Sequence, residues 1–395
     1  MKKFNPKMSL VLFTLALAGI LAMPAFAAQG APSLNDQLVN AVAQGDLPTV
    51  TSLVKQGADV NAVATLTKCF MQDGTQVQCS VQSTPLLVAT GRGNLQIAQY
   101  LVGQGADPTI GLPEGFYVRD PVTVAHNYQY DHQNDQAGAA AAQQKTQAFM
   151  SLYIPAAAQQ LIRKKSVDHL FLDNSESVLA LAAESGDTDT ARLLIANGAD
   201  VNLKQVLTSD RGLTPLMEAA FGRQDGLIQI LVDAGADVNL ATRNGNTALG
   251  YTAYKADPVG TELLLDRGAN PNVSGMDGDV PLSSVVVSDK ILSGDDLSKR
   301  IEVIRILVAH KAAIDYQDPR TGMTALMTSI WAPNPDIVEA LLDAGANPNL
   351  TSKEGTTAMG IAENYINDPA SGTTPQMKPL YQKIIDELKA HGATK

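Results

Sequence analysis

Two cysteines, five histidines and a recurring aspartate are the residues of this 395-residue chain whose chemistry could extend beyond packing. Cys69 and Cys79 flank the run Phe70-Met71-Gln72-Asp73-Gly74-Thr75-Gln76-Val77-Gln78, and Asp-Gly between two short runs signals a hairpin. An odd loop centred on Gly74 sets Cys69 opposite Cys79, whereas a two-residue Asp-Gly turn offsets them by one. An isolated pair in an exported chain closes into a disulfide; the alternative is two free thiols. A metal site would need further ligands at suitable spacing, and the sequence near the cysteines supplies none. His126, Asp131 and His132 invite a metal reading, but their spacing is not diagnostic and suits solvated loop residues. Asn272-Val273-Ser274 and Asn349-Leu350-Thr351 match the glycosylation acceptor pattern. No nucleophile elbow, phosphate loop, zinc-protease helix or Cys-x-x-Cys occurs, so the sequence reads as non-enzymatic and asks for no cofactor and no metal.

The compartment is argued from the N-terminus. Lys2, Lys3 and Lys7 precede an uninterrupted apolar and small stretch, Leu10 to Met23, and then Pro24-Ala25-Phe26-Ala27-Ala28. This layout predicts a signal peptide over 1–27 cut after Ala27, with the product in the periplasm or secreted. A membrane anchor is the other reading, but 14 residues fall short of the roughly 20 a span needs. No later run is apolar enough to span, so no stable membrane insertion is expected after cleavage. Losing the three lysines takes the net charge from −11 to −14. Nucleic acid is thereby disfavoured, because phosphates demand clustered Lys and Arg.

The elements that must carry these residues are repeats. Gly-Ala-Asp or Gly-Ala-Asn recurs at Gly57, Gly105, Gly198, Gly235, Gly268 and Gly345. Thr-Pro-Leu, Thr-Ala-Leu or Thr-Ala-Met recurs at Thr84, Thr214, Thr247, Thr324 and Thr357. A glycine stands two residues before most of these, at Gly212, Gly245, Gly278, Gly322 and Gly355, spaced by 33 three times and by 44 once. Within Asp210–Leu240, Thr214 caps a helix whose first residue, Pro215, has no N–H to satisfy. Leu216, Ala219 and Ala220 line its packed side. Gly222 to Asp225 breaks it, and Leu227, Ile228, Ile230, Leu231 and Val232 form the stripe of a second helix that ends at Gly235. One such pair cannot bury its apolar faces; stacked copies can.

The pattern resembles the ankyrin repeat, with its Gly-x-Thr-Pro-Leu-His, Ala-Ala and Gly-Ala-Asp-x-Asn signature. The resemblance implies an all-α repeat solenoid of about eight helix-turn-helix units, beginning near 34, 82, 173, 209, 242, 275, 319 and 352, with hairpin turns and one helical insertion. The segments are 1–27, then 28–111 with units one and two and the cysteine hairpin, an insertion over 112–171, and 172–395 with units three to eight. The family's His is replaced by Leu87, Met217, Gly250, Ser283, Met327 and Gly360, and unit six has Lys311-Ala312-Ala313 for Gly-Ala-Asp. Asp59, Asp107, Asp200, Asp237 and the two glycosylation-pattern asparagines fall at motif positions, which makes them structural. The last helix, about Lys378 to His391, should turn Leu380, Ile384, Ile385 and Leu388 inward as a cap.

Function on an array lies in its insertions and in the variable positions of one face. Seven of the 16 aromatics beyond residue 27 fall in the insertion: Phe116, Tyr117, Tyr128, Tyr130, Phe149, Tyr153 and Phe171. They read equally as binding groups, Tyr128 and Tyr130 above all, or as packing for the insertion. Its Ala/Gln-rich stretch over 135–148 predicts one helix, and Pro155 separates it from a second through Leu161 to Lys165. In ankyrin proteins the end of the first helix commonly belongs to a concave binding face. The position nine residues after the repeat glycine holds Phe221, Tyr254, Val287, Trp331 and Asn364. The resemblance makes Phe221, Tyr254 and Trp331 a binding stripe; partial burial against neighbouring helices is the alternative. The chain thus reads as an exported scaffold that binds another protein. An immunity or inhibitor protein that occludes a periplasmic toxin or hydrolase is the second reading, and an enzyme built into 112–171 the third.

Overall fold

In a computed structural model the described residues are 32–70, 76–110, 139–170, 176–205, 212–275, 278–287, 293–367 and 373–394, with backbone alone for 68–70 and 76–80. They fall into two compact units. The first holds helices α1 (Leu34–Gln44) and α2 (Leu47–Lys55), an antiparallel hairpin of β1 (Ala64–Phe70) and β2 (Gln76–Ser83), then α3 (Pro85–Gly91), α4 (Leu95–Gly103) and the long α5 (Ala139–Lys164). The second holds six more helix pairs: α6 (Val178–Ser185) and α7 (Thr188–Ala196), α8 (Pro215–Phe221) and α9 (Asp225–Asp233), α10 (Ala248–Tyr254) and α11 (Pro258–Asp266). Then follow α12 (Pro281–Val286) and α13 (Gly294–Ala309), α14 (Ala325–Ser329) and α15 (Pro335–Asp343), α16 (Ala358–Asn367) and α17 (Lys378–Ala390). The eight expected pairs are present, two in the first unit and six in the second.

Thr84, Thr214, Thr247, Thr324 and Thr357 each accept, through the hydroxyl, the backbone N–H three residues on, at 3.1–3.3 Å. These bonds start the first helix of a unit by satisfying a donor that has no partner within the helix. In the second unit the short first helices pack side by side, α6 through α16, and the second helices form their own row, α7 through α17. Leu216, Ala219 and Ala220 of α8, and Leu227, Ile228 and Leu231 of α9, are buried between the rows. In the cap helix α17 Ile384, Ile385 and Leu388 are buried as the sequence suggested, whereas Leu380 is only half-buried and Tyr381 takes its place in the inward set.

The motif asparagine is a latch between neighbouring units. Asn239 donates to the Gly268 carbonyl at 3.0 Å and accepts from the Asn270 N–H at 2.8 Å. Asn61, Asn202, Asn272 and Asn349 repeat the arrangement. Asn272 and Asn349 are thus spent on Lys311 and Gly392 of the following units, which gives the acceptor pattern its structural meaning. Asp59, Asp200 and Asp237 close the turn locally by accepting the N–H two residues on. The turn after each second helix needs a left-handed residue, and Gly235 supplies it at φ 91°. In unit six Lys311 adopts φ 67° in its place, a strain that the surrounding bonds, including Ala312 N–H to Leu307, overcome.

Two expectations for the first unit change. Pro155 does not divide the insertion: α5 runs unbroken from Ala139 to Lys164 with the proline inside it. An interior proline costs about 3 kcal/mol. Burial of Phe149, Met150, Tyr153, Ile154, Ala157, Ala158 and Leu161 along that one helix outweighs it. The hairpin is present, but its register sets Cys69 opposite Val77, with an irregularity between Leu66 and Lys68, so the cysteines are not directly opposed.

Candidate functional site

The row of equivalent positions lies wholly in the second unit. Phe221, Tyr254, Val287 and Trp331 stand at or just beyond the C-terminal end of a first helix, where the next residues turn away, whereas Asn364 lies within α16. Phe221, Tyr254, Val287 and Trp331 are exposed by 42%, 48%, 42% and 56%, large values for apolar side chains. Asn364 continues the row and is also exposed. Burial against the neighbouring first helices is therefore partial at each.

Two clefts open beside these rings. One, of about 240 Å³, is bounded by Phe221, Tyr251 and Tyr254 on α8 and α10, by Gly245 and Asn246 of the turn before α10, and by Asp279, Val280 and Pro281. The other, of about 280 Å³, is bounded by Val287 and Trp331, by Tyr316, Met323 and Ile314, and by Asp279, Asp318 and Arg320. Asp279 and Val280 belong to both, so the clefts adjoin along the row. Phe221 meets Tyr251 edge-on, with ring centroids 5.9 Å apart, and the Lys255 ammonium sits 3.6 Å above the Phe221 centroid. Asp318 stays below the usual carboxylate range: burial raises it, but the Arg320 N–H and Thr321 hold the charged form.

The insertion's aromatics divide. Phe149 and Tyr153 are fully buried in α5, and the Tyr153 hydroxyl lies 2.7 Å from Thr90 Oγ1 of α3. These two are packing groups. Phe116, Tyr117, Tyr128, Tyr130, Phe171, His126, Asp131 and His132 lie outside the described residues, as do the side chains of Cys69 and Cys79. Among the described residues no cluster of three or more His, Cys, Asp or Glu is placed to hold a metal ion, and no helix is long and apolar enough to cross a membrane.

Some groups had no signal in the sequence. Lys255 lies over the Phe221 ring, and Arg223 reaches from unit four to the Ala256 carbonyl beside it. Asp225 and Asp257 face each other at the starts of α9 and α11, where burial, and then the Asp257 charge, push Asp225 up to about 6. Glu176, Glu184 and Glu218 gather beside α6 and α8. Such pairings arise only when the units stack.

Models of the ankyrin repeat match residues 82–111, 179–275 and 307–362. The gap over 276–306 covers much of unit six, where Val280 replaces the capping Thr and the unit is lengthened. The chain is an ankyrin-repeat protein. It is 43% identical over 94 residues to a putative ankyrin repeat-containing protein of Treponema pallidum, covering 24% of this chain and 30% of that one. It is 29% identical over 170 residues to the putative ankyrin repeat protein FPV031 of fowlpox virus, covering 42% and 47%. It is 29% identical over 188 residues to the putative ankyrin repeat protein YahD of Escherichia coli, covering 46% and 86%. The chain thus spans under half the length of the first two.

Proposed function

We propose that this is an exported, non-enzymatic scaffold that holds a protein segment along Phe221, Tyr254, Val287 and Trp331. The observation that carries the reading is one exposed apolar residue per unit at the same position in four successive units, beside two adjoining clefts. The exposed halves of these side chains are surface that packing in the isolated chain leaves uncovered, and aromatics in a cleft are the usual anchors of an interface. Replacing Trp331, Tyr254 or Phe221 with alanine is expected to change unfolding by under about 1 kcal/mol, because each ring is already half in water. Each replacement should weaken partner capture from an envelope extract by about 2 kcal/mol, a roughly 30-fold loss. Lowered melting temperatures with unchanged capture for all three would make the rings packing groups and sink the reading.

Export is supported by the basic head, the apolar stretch and the Ala-Phe-Ala box of residues 1–27. The two cysteines, close in sequence on paired strands, suit an oxidising compartment. Intact mass without reductant should therefore give a chain that starts at Ala28 and takes up no alkylating reagent. A chain that begins at Met1 with two alkylatable thiols would overturn both points.

A further inference from the structure

Behind the cleft at units four and five, at the Phe221 ring that borders it, stand two cations that the fold leaves unanswered. Lys255 caps the end of α10, and its ammonium lies 3.6 Å above the Phe221 ring. Arg223 follows Phe221 by two residues in a left-handed conformation, φ 56°. That conformation carries its guanidinium across to the next unit, where one nitrogen donates to the Ala256 carbonyl at 3.3 Å. Two cations from successive units therefore stand close together, Lys255 over the Phe221 ring and Arg223 on the carbonyl of the residue after Lys255. Among the described residues no carboxylate lies within ion-pair distance of either. Asp225, the acid whose charge Arg223 senses, is turned to Asp257 instead. Burial lowers the affinity of the Lys255 amine for its proton, and the neighbouring guanidinium lowers it further. This occurs in a chain with 40 acids to 29 bases, where chance would sooner place a carboxylate beside a cation than a second cation.

Asp279 borders both clefts, and Asp318 and Arg320 border the second beside Trp331 and Tyr316. The two cations therefore stand at the Phe221 end of the groove. Gly245 and Gly250 border the cleft there, and the absence of side chains leaves about 240 Å³ open beside the ring. Packed helices lie about 8–10 Å apart, and an extended chain advances about 3.3 Å per residue, so one unit corresponds to about three residues of a bound segment.

We propose that Lys255, over the Phe221 ring, and Arg223, on the Ala256 carbonyl, form a carboxylate-binding subsite at units four and five, so that the groove takes an extended acidic peptide. The acidic side chain lies between the two cations. An apolar residue about nine positions away reaches Trp331, three units on. The subsite rests on the groove being the binding face, and it fixes the direction in which the segment lies. A carboxylate there gains two charge-assisted contacts and relieves the repulsion between the cations.

Phage-displayed random dodecapeptides selected on the full chain test the subsite and the groove separately. Selected peptides should carry Asp or Glu at one register, with an apolar residue about nine positions away. Lys255→Met, which keeps the apolar stem over Phe221, combined with Arg223→Asn, which tolerates positive φ, should weaken them about tenfold. Lys255→Arg should retain binding. The loss should vanish for the same peptide with Gln in place of its acid, and it should shrink at high salt. Peptides that need Trp331 yet carry no recurrent acid, or that bind the double variant as they bind the parent, would overturn the subsite and leave the groove standing. A selection that yields no peptide weakened by Trp331→Ala, Tyr254→Ala or Phe221→Ala would overturn the groove itself. Circular dichroism of each variant confirms that the array is folded.

Discussion

Replacing Tyr153 with alanine is expected to cost about 3–5 kcal/mol and to release α5 from the first unit. The ring is fully buried, with Phe149 one helical turn away at a centroid distance of 5.7 Å. Its hydroxyl lies 2.7 Å from Thr90 Oγ1, and Thr90 spends its own proton on the Leu86 carbonyl at 2.7 Å. The tyrosine is therefore the donor of the pair, and burial pushes its phenol well above the usual range. Tyr153→Phe keeps the ring and loses only that bond, a cost of about 1 kcal/mol, because Thr90 still donates to Leu86. Hydrogen exchange resolves the effect locally. Amides of α5 and of α3 should lose protection in Tyr153→Ala and keep nearly all of it in Tyr153→Phe. Unchanged exchange in the alanine variant would mean that α5 is held by other contacts, and that the aromatics of the insertion are open again to a binding role.

The insertion also shows where the sequence stopped being legible. The threonine caps, the motif glycines and the asparagines recur at fixed spacing, and each acts locally or on the next unit, so one repeat explains all of them. Eight helix pairs follow from that period alone. Residues nine positions after the repeat glycine could be read as a row for the same reason: a periodic stack repeats its environments, and all five members are exposed. Pro155 had no such support. Local propensity breaks the helix there, whereas seven apolar residues buried on both sides of the proline keep it whole. Arg223 and Lys255 lie 32 positions apart, and only the stacking of unit four on unit five brings Lys255 to Phe221 and Arg223 to Ala256. The same holds for Glu176 and Glu218. Charge meetings between units leave no period in the sequence because they are particular to one junction.

That second meeting predicts an inverted pH dependence for the larger unit. Burial pushes the Glu176 carboxyl up to about 8, and the charges of Glu218 and Glu184 push in the same direction. Glu218 is itself buried and accepts from the Gln205 amide at 2.8 Å. In the unfolded chain Glu176 titrates near 4.5. Between 4.5 and 8 the folded state therefore holds a proton that the unfolded state has released. The stabilisation is complete below the lower value and lost as pH rises through the upper one, a decline on the order of 2–4 kcal/mol. Asp225, raised to about 6, adds a smaller decline of the same sign that ends sooner. Glu176→Gln stays neutral at every pH and keeps the shape of the protonated acid. Its melting temperature should match the parent's at pH 5 and exceed it at pH 8.5. Asp225→Asn should exceed the parent already at pH 7, with no further gain by pH 8.5. His391, whose affinity for its proton is raised by the Glu387 carbonyl and Asp343, is present in all three proteins and cancels from the comparison. Parallel melting curves for the parent and Glu176→Gln from pH 5 to 8.5 would show that Glu176 is charged in the fold, with Gln205 or a neighbouring backbone donor stabilising it.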